Sequence, residues 1–321
     1  MVPGAGVEVD PLGGETVDPD LIDMRVRQEA FGFLDRLRAE HGEALAWRLL
    51  LEGFAFEGHR VPLVSPQGIF RPGVLREVPL SIRTAPEVEG RARPYEDGFF
   101  ADDLIQYRYR GTDPGLPENV GLRLAWKHRL PLVYFYGLVP GRYAAAYPAY
   151  IVGDDPANLS FTVQVAEALL LPVDGVADSG ADARRAYHTA VVKRRLHQEG
   201  FRQRVLSAYQ ERCAVCRLRH SGLLDAAHIL PDGHPRGDPV VPNGLSLCKL
   251  HHAAFDLNFL GVRPDLVVEI REDLLREHDG PMLVHGLQEF QGRRIVVPPV
   301  SPLQPDQDRL AERYERFRRT G

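Results

Sequence analysis

The chain has 321 residues, 44% hydrophobic and 26% charged, with a net charge of −5; that length suits two domains, and that composition excludes wholesale disorder. No apolar run reaches the ~18 residues of a membrane span, and the acidic start MVPGAGVEVDPLGGE lacks the apolar core of a secretory signal. A soluble, cytoplasmic protein is expected, with no membrane partner. Its three cysteines, two of them in a CxxC, suggest a reducing compartment and a metal site rather than a disulfide framework.

In chain order, residues 1–18 carry Gly, Pro and acids without periodicity and read as a flexible tail. Asp18 or Asp20 can cap a helix in which Leu21, Ile22, Val26, Ala30, Phe31, Leu34 and Leu37 recur at helical spacing. A second helical stretch over 43–51 ends near Gly53. From Val61 onward, short β-branched and aromatic runs alternate with Pro and Gly: PQGIFRPG, VPLSIRT, DLIQYRYRG, LPLVYFYGLVPG and PAYIVGD. These predict a mostly-β barrel or sandwich, interrupted by a helix over 119–128. LLLPVDGVADSGAD ends in a linker over 171–182, after which 183–209 becomes helical and basic. The expected division is therefore a tail over 1–18, a helical and β-rich domain over 19–170, the linker, and a second domain over 183–321.

The net charge hides an asymmetry. Between Arg184 and Arg219 ten Lys/Arg, among them Arg194, Arg195 and Arg202, face two acids, so this stretch is +8 and the remainder −13. Polyanion binding responds to such local patches, although a solvated helix face is the simpler alternative.

Cys213-x-x-Cys216 is followed by Cys248-x-x-His251. Two short-spaced pairs can close a tetrahedral Zn²⁺ site, each turn presenting two ligands to one metal, and a closed four-ligand site is structural. Between the pairs runs LLDAAHILPDGHPRGDPVVPNGLSLCKLHHAAFD. This resembles the HNH endonuclease family over residues 200–262, with His228, Asn243 and His252 at the family's positions.

That resemblance implies a ββα-metal fold and phosphodiester hydrolysis. His228 would be the general base, because an imidazole is partly neutral near physiological pH. Asn243 would orient the base or its loop. His252 would bind the catalytic cation, with Asp256 one helical turn further on the same side. Imidazole beside carboxylate suits Mg²⁺ or Mn²⁺. Many family members place a metal ligand immediately before the base, where this chain has Ala227; Asp225, of the same strand parity, is the candidate replacement. His234 reads as a solvated loop residue or a phosphate contact.

Eight of the eleven tyrosines fall between Tyr95 and Tyr150, interleaved with Arg and Lys. Such mixtures stack bases and grip phosphates, or simply pack a small barrel. The order GIF, PLSI, PYEDG, IQYRYRG, a helix with Asn119 and Leu122, then PLVYFYGLVPGRYAAAYPAYIV resembles the SRA (YDG) family over residues 60–155. The resemblance implies a PUA-like β-barrel that flips a methylated base into an aromatic pocket. Tyr95 and Tyr107, twelve residues apart, would flank the base, and Asp97 would bond its Watson–Crick edge. Gly98 replaces the family's second acid, which leaves 5-methylcytosine, 5-hydroxymethylcytosine and N4-methylcytosine open.

The expectation is thus an α+β protein: N-terminal helices with an SRA-like barrel, then a C-terminal ββα-metal nuclease, as in type IV modification-dependent restriction endonucleases. Its partner would be double-stranded DNA carrying a modified cytosine. Cutting both strands needs two sites, hence a homodimer, formed by the helices at 20–51 or a tail helix at 306–319; a monomer that nicks sequentially is the alternative. The competing readings are a less selective HNH nuclease and an inactive zinc-stabilised nucleic-acid reader.

Overall fold

The computed structural model describes residues 19–86, 104–165, 181–278 and 280–320. Tyr95, Asp97, the 1–18 tail and most of the linker lie outside them. The chain divides into two compact units, 1–194 and 195–321.

In the first unit α1 (Pro19–His41) buries Val26, Ala30, Leu34 and Leu37, the helical stripe expected from their spacing, while Leu21 faces solvent. Arg27 on the same helix is fully buried, which the pattern did not suggest. Its guanidinium pairs with Asp23 and donates to the carbonyls of Pro131 at 2.7 Å and Pro79 at 3.0 Å, so the buried charge is compensated.

The helix expected over 43–51 is shorter. Leu45–Ala46 forms a strand, β1, and only α2 (Trp47–Glu52) is helical. Leu45 pairs with Tyr143, and this tertiary ladder overrides local helix preference. Gly53 ends α2 at φ 63°, where a Cβ would meet the Val61 carbonyl at 2.0 Å. A small hairpin, β2 (Phe54–Phe56) and β3 (His59–Val61), follows.

The strands β4 (Ile69–Phe70), β5 (Ser81–Arg83) and β6 (Ile105–Arg108) precede α3 (Pro117–His128); then come β7 (Leu132–Val139), β8 (Arg142–Asp155) and β9 (Ser160–Val165). With β1 on β8 they form one sheet in the order β4-β5-β7-β8-β9-β6, antiparallel except for β5–β7. Register shifts along β7–β8 and β8–β9 bend the long strands, and the sheet curls into a half-barrel. β9 (SFTVQV) was absent from the expected strands, although its alternating burial is period-two. Its polar Thr162 and Gln164 keep it from standing out as an apolar run.

The long helix α4 (Ala181–Ala208) leads into the second unit. There β10 (Leu224–His228) and β11 (Gly244–Cys248) form an antiparallel hairpin followed directly by α5 (Lys249–Asp256). The hairpin β12 (Leu260–Val262) and β13 (Val268–Ile270), the short helices α6 (Glu272–Arg276) and α7 (Pro281–Gly286), and α8 (Gln307–Thr320) complete the unit. Phe201, Val205 and Leu206 of α4, with Tyr209 just past its end, pack in one core with Leu224, Ala227, Leu245, Leu247 and Phe255. The hairpin and α5 thereby share a rigid base. Among the described residues no helix is long and apolar enough to cross a membrane.

Candidate active site and metal cluster

Cys213, Cys216, Cys248 and His251 place one ligand atom each within 4.8 Å of one another. Two come from the turn after α4, Cys248 ends β11, and His251 lies in the first turn of α5. Cys216 and Cys248 have their sulfurs 3.8 Å apart, close to the edge of a tetrahedron with Zn–S bonds of about 2.3 Å. His251 turns Nδ1 toward the sulfurs of Cys248 at 3.0 Å and Cys213 at 3.6 Å, and its Nε2 lies 2.9 Å from the Gly286 carbonyl. That carbonyl fixes the tautomer, with Nε2–H donating and Nδ1 available to a metal. Hydrogen bonds from Cys216 and Cys248 hold the Cys213 thiol low, toward the thiolate a metal requires. Donor set, spacing and orientation all fit a closed tetrahedral site.

His228 ends β10 opposite Gly244. Its ring stacks on Phe201, with centroids 4.1 Å apart. The contact requires α4 to approach β11 closely: a Cβ at Gly244 would meet Val205 at 2.5 Å and Phe201 at 2.9 Å. Burial lowers the His228 pKa, opposed by the charges of Asp232 and Asp256 and reinforced by His252. The imidazole is therefore neutral at physiological pH, the state a proton acceptor needs.

Asn243 is fully buried. Its Oδ1 accepts the Leu230 N–H at 2.9 Å, and Nδ2 donates to the carbonyls of Leu230 at 3.0 Å and Asp238 at 3.1 Å. Its side chain thus clips the loop that leaves His228.

His252, on the solvent side of α5 from His251, lies between two carboxylates. Its Nε2 is 3.2 Å from Asp256 and its Nδ1 3.5 Å from Asp225. The hydrogen bond to Asp256 raises the His252 pKa despite burial, with Asp225 adding to the effect. Burial raises the Asp225 pKa, but the ammonium of Lys249 and then His252 outweigh it and hold the carboxylate low. Asp225 also pairs with Arg202 Nε at 3.5 Å. The three side chains are near one another, with the carboxylates on opposite ring nitrogens.

Residues 213–263 match the model of the HNH endonuclease family. The C-terminal unit carries an HNH endonuclease domain. Members of that family hydrolyse phosphodiester bonds, and in this HNH domain the hairpin β10–β11 and helix α5 supply the two strands and helix of its ββα core.

The basic residues around the HNH domain differ in their engagement. Arg194 is exposed on α4 and Arg195 half-buried. Arg202 instead donates to the carbonyls of Leu224 at 2.9 Å and Ser221 at 3.0 Å and pairs with Glu199, tying α4 to the start of β10. His234, expected in a solvated loop, lies 2.9 Å from Glu312 of α8.

In the N-terminal unit a cavity of about 390 Å³ lies between the two edges of the curled sheet. Ile69 and Arg83 line it from one edge, Tyr107, Tyr109 and Arg110 from the other, with Gln67 at its rim. Tyr107 donates across the seam to the Arg83 carbonyl at 3.3 Å. Asn119, fully buried on α3, bonds Arg110 N–H at 2.9 Å and the Asp113 carbonyl at 2.9 Å and so shapes the loop beside the cavity. The segment 87–103, with Tyr95 and Asp97, connects β5 to β6, both of which line the cavity.

No curated protein matches the chain. A solved structure described as the modification dependent TagI restriction endonuclease is similar over 75% of this chain and 82% of its own, at 18% identity and a TM-score of 0.29.

Proposed function

We propose that this chain is a modification-dependent DNA endonuclease, in which the N-terminal unit reads a modified cytosine and the HNH domain hydrolyses the phosphodiester bond with one hard cation. The observation that carries the cutting half is His228: an imidazole kept neutral by burial, stacked on Phe201, within electrostatic reach of the His252–Asp256 pair.

A ring nitrogen of His228 takes a proton from water as the water oxygen attacks phosphorus and the bond to the 3′ oxygen breaks. Asn243 keeps the loop after His228 in place, so the acceptor does not wander. His252 and Asp256 are the residues to hold Mg²⁺ or Mn²⁺, whose charge would offset that of the scissile phosphate and the leaving oxygen. Asp225, already shared between Lys249 and Arg202, orients the ring of His252 from Nδ1. Cys213, Cys216, Cys248 and His251 hold a structural Zn²⁺.

The reading half rests on the seam cavity with Tyr107, to which Tyr95 and Asp97 would add the rest of the base pocket. A 5-methyl-, 5-hydroxymethyl- or N4-methylcytosine extruded from the duplex is the class of ligand. Arg194 and Arg195 supply phosphate contacts, and a homodimer supplies the second active site for the opposite strand.

The test is incubation of matched modified and unmodified duplexes with the full chain and Mg²⁺ or Mn²⁺, against an EDTA control. Cleavage of the modified duplex alone, abolished by EDTA, is expected. Equal cleavage of both would make the N-terminal unit a non-selective DNA binder; binding without cleavage would make the protein a zinc-stabilised reader.

A further inference from the structure

The HNH match ends at residue 263, yet the two halves of the active site are both held by a helix some fifty residues later. On the metal side, α5 has eight residues, and the backbone N–H groups of Leu257, Phe259 and Asn258 close its last turn on the carbonyls of Ala253, Ala254 and Phe255. Arg313 of α8 adds a second donor at the last of these. Its guanidinium, 7% exposed, donates through Nη2 to the Phe255 carbonyl and through Nη1 to Asn258 Oδ1 at 2.5 Å, and lies over the Phe255 ring at 4.5 Å. Asn258 sits just past the helix at φ 57°, a left-handed residue of the kind that closes helix C-termini. A buried cation there also complements the negative end of the helix dipole. The residue between Phe255 and Leu257 is Asp256.

On the base side, the loop over 231–242 that leaves His228 is held by the same helix. Glu312 receives His234 Nε2 at 2.9 Å and also pairs with Arg236, Arg309 faces Asp238 at 3.5 Å, and the Asp306 N–H bonds the Pro242 carbonyl at 2.9 Å. Leu310 and Phe317 share the buried face of α8 with Arg313, and Gly261 of β12 admits the Phe317 ring; a Cβ would meet it at 2.6 Å.

We propose that α8 is a working part of the nuclease site, and that Arg313 is a positioning residue that sets the end of α5 and with it the His252–Asp256 pair. The inference rests on the proposed role of that pair in holding the catalytic cation. Lysine cannot replace the fork, because one ammonium does not span a carbonyl and an amide oxygen in fixed geometry.

The test compares full-length wild type, Arg313→Lys and His252→Ala, each checked for one equivalent of zinc. Mn²⁺ binding is titrated directly, kcat and KM are measured on one modified duplex, and the ring ¹⁵N signals of His251 and His252 are recorded without added Mn²⁺. Arg313→Lys is expected to weaken Mn²⁺ binding by about 10- to 100-fold, lower kcat with KM unchanged, and shift the His252 ring signals while leaving those of His251 in place. Unmoved His252 signals with wild-type Mn²⁺ affinity would overturn the proposal and leave Arg313 a packing residue. If His252→Ala binds Mn²⁺ as wild type does, the cation assignment fails instead, and the His252 ring signals alone decide whether Arg313 positions that side chain. Should Arg313→Lys lose zinc or unfold, Asn258→Gly carries the same comparison, since it removes one acceptor and keeps the backbone conformation.

Discussion

A general base must be neutral before it can act, and burial favours that state at His228, the proposed base. Burial against Phe201 lowers the His228 pKa, so the neutral form extends to lower pH than in an exposed histidine. With Mn²⁺ saturating, kcat/KM should therefore rise with pH through a midpoint below the ordinary imidazole value of 6.5. A midpoint at or above 6.5 in the pH–rate profile would assign the limiting proton to another group. His228→Ala should cut kcat by roughly 10²–10⁴, with DNA affinity and zinc content unchanged, as gel shift and metal analysis would report.

At the scale of elements, α4 lies close against the hairpin β10–β11. Gly244→Ala puts a methyl into Val205 and Phe201 and should cost about 1–3 kcal/mol of stability, lowering kcat as His228 is pushed off its stacking partner. Adding Val205→Ala removes the nearest obstructing atom and should recover part of both losses; a double variant no better than Gly244→Ala would mean that the clash is relieved elsewhere. The cysteine cluster joins the turn after α4 to the β11–α5 junction. Replacing Cys213 by Ser should release about one equivalent of zinc and lower the melting transition of the C-terminal unit, because metal binding is linked to folding. Full zinc content at unchanged stability would remove the metal from the site.

For the molecule as a whole, the proposed reading and cutting functions fall in separate compact units, so their defects should separate. Tyr107→Ala opens the seam cavity and should weaken binding to modified duplex, while weak, salt-sensitive binding to unmodified duplex stays nearly intact, because base contacts specify and phosphate contacts position. Equal loss on both duplexes in a filter-binding comparison would make Tyr107 a packing residue. The net charge of −5 opposes non-specific attraction for DNA, and the local +8 stretch supplies what remains of it.

Much of this was legible in the sequence because it is local. Helical spacing marked the buried stripe of α1, two short-spaced ligand pairs marked the cysteine cluster, and the motif with His228, Asn243 and His252 marked the HNH domain. Each is a pattern within one or two turns of chain, where periodicity and ligand spacing follow from backbone geometry. What depends on distant segments was hidden. The burial of Arg27, the strand at Leu45–Ala46, the stacking of Phe201 on His228, the diversion of Arg202 into Asp225 and two carbonyls, and the reach of Arg313 to the end of α5 all join residues that are far apart in sequence, or divert a side chain from its composition-based role. Composition could say that these charges and rings exist. Only the packing of α4 and α8 against the ββα core decided which of them are spent inside the protein, because a hydrogen-bond partner is chosen by distance in space rather than by separation along the chain.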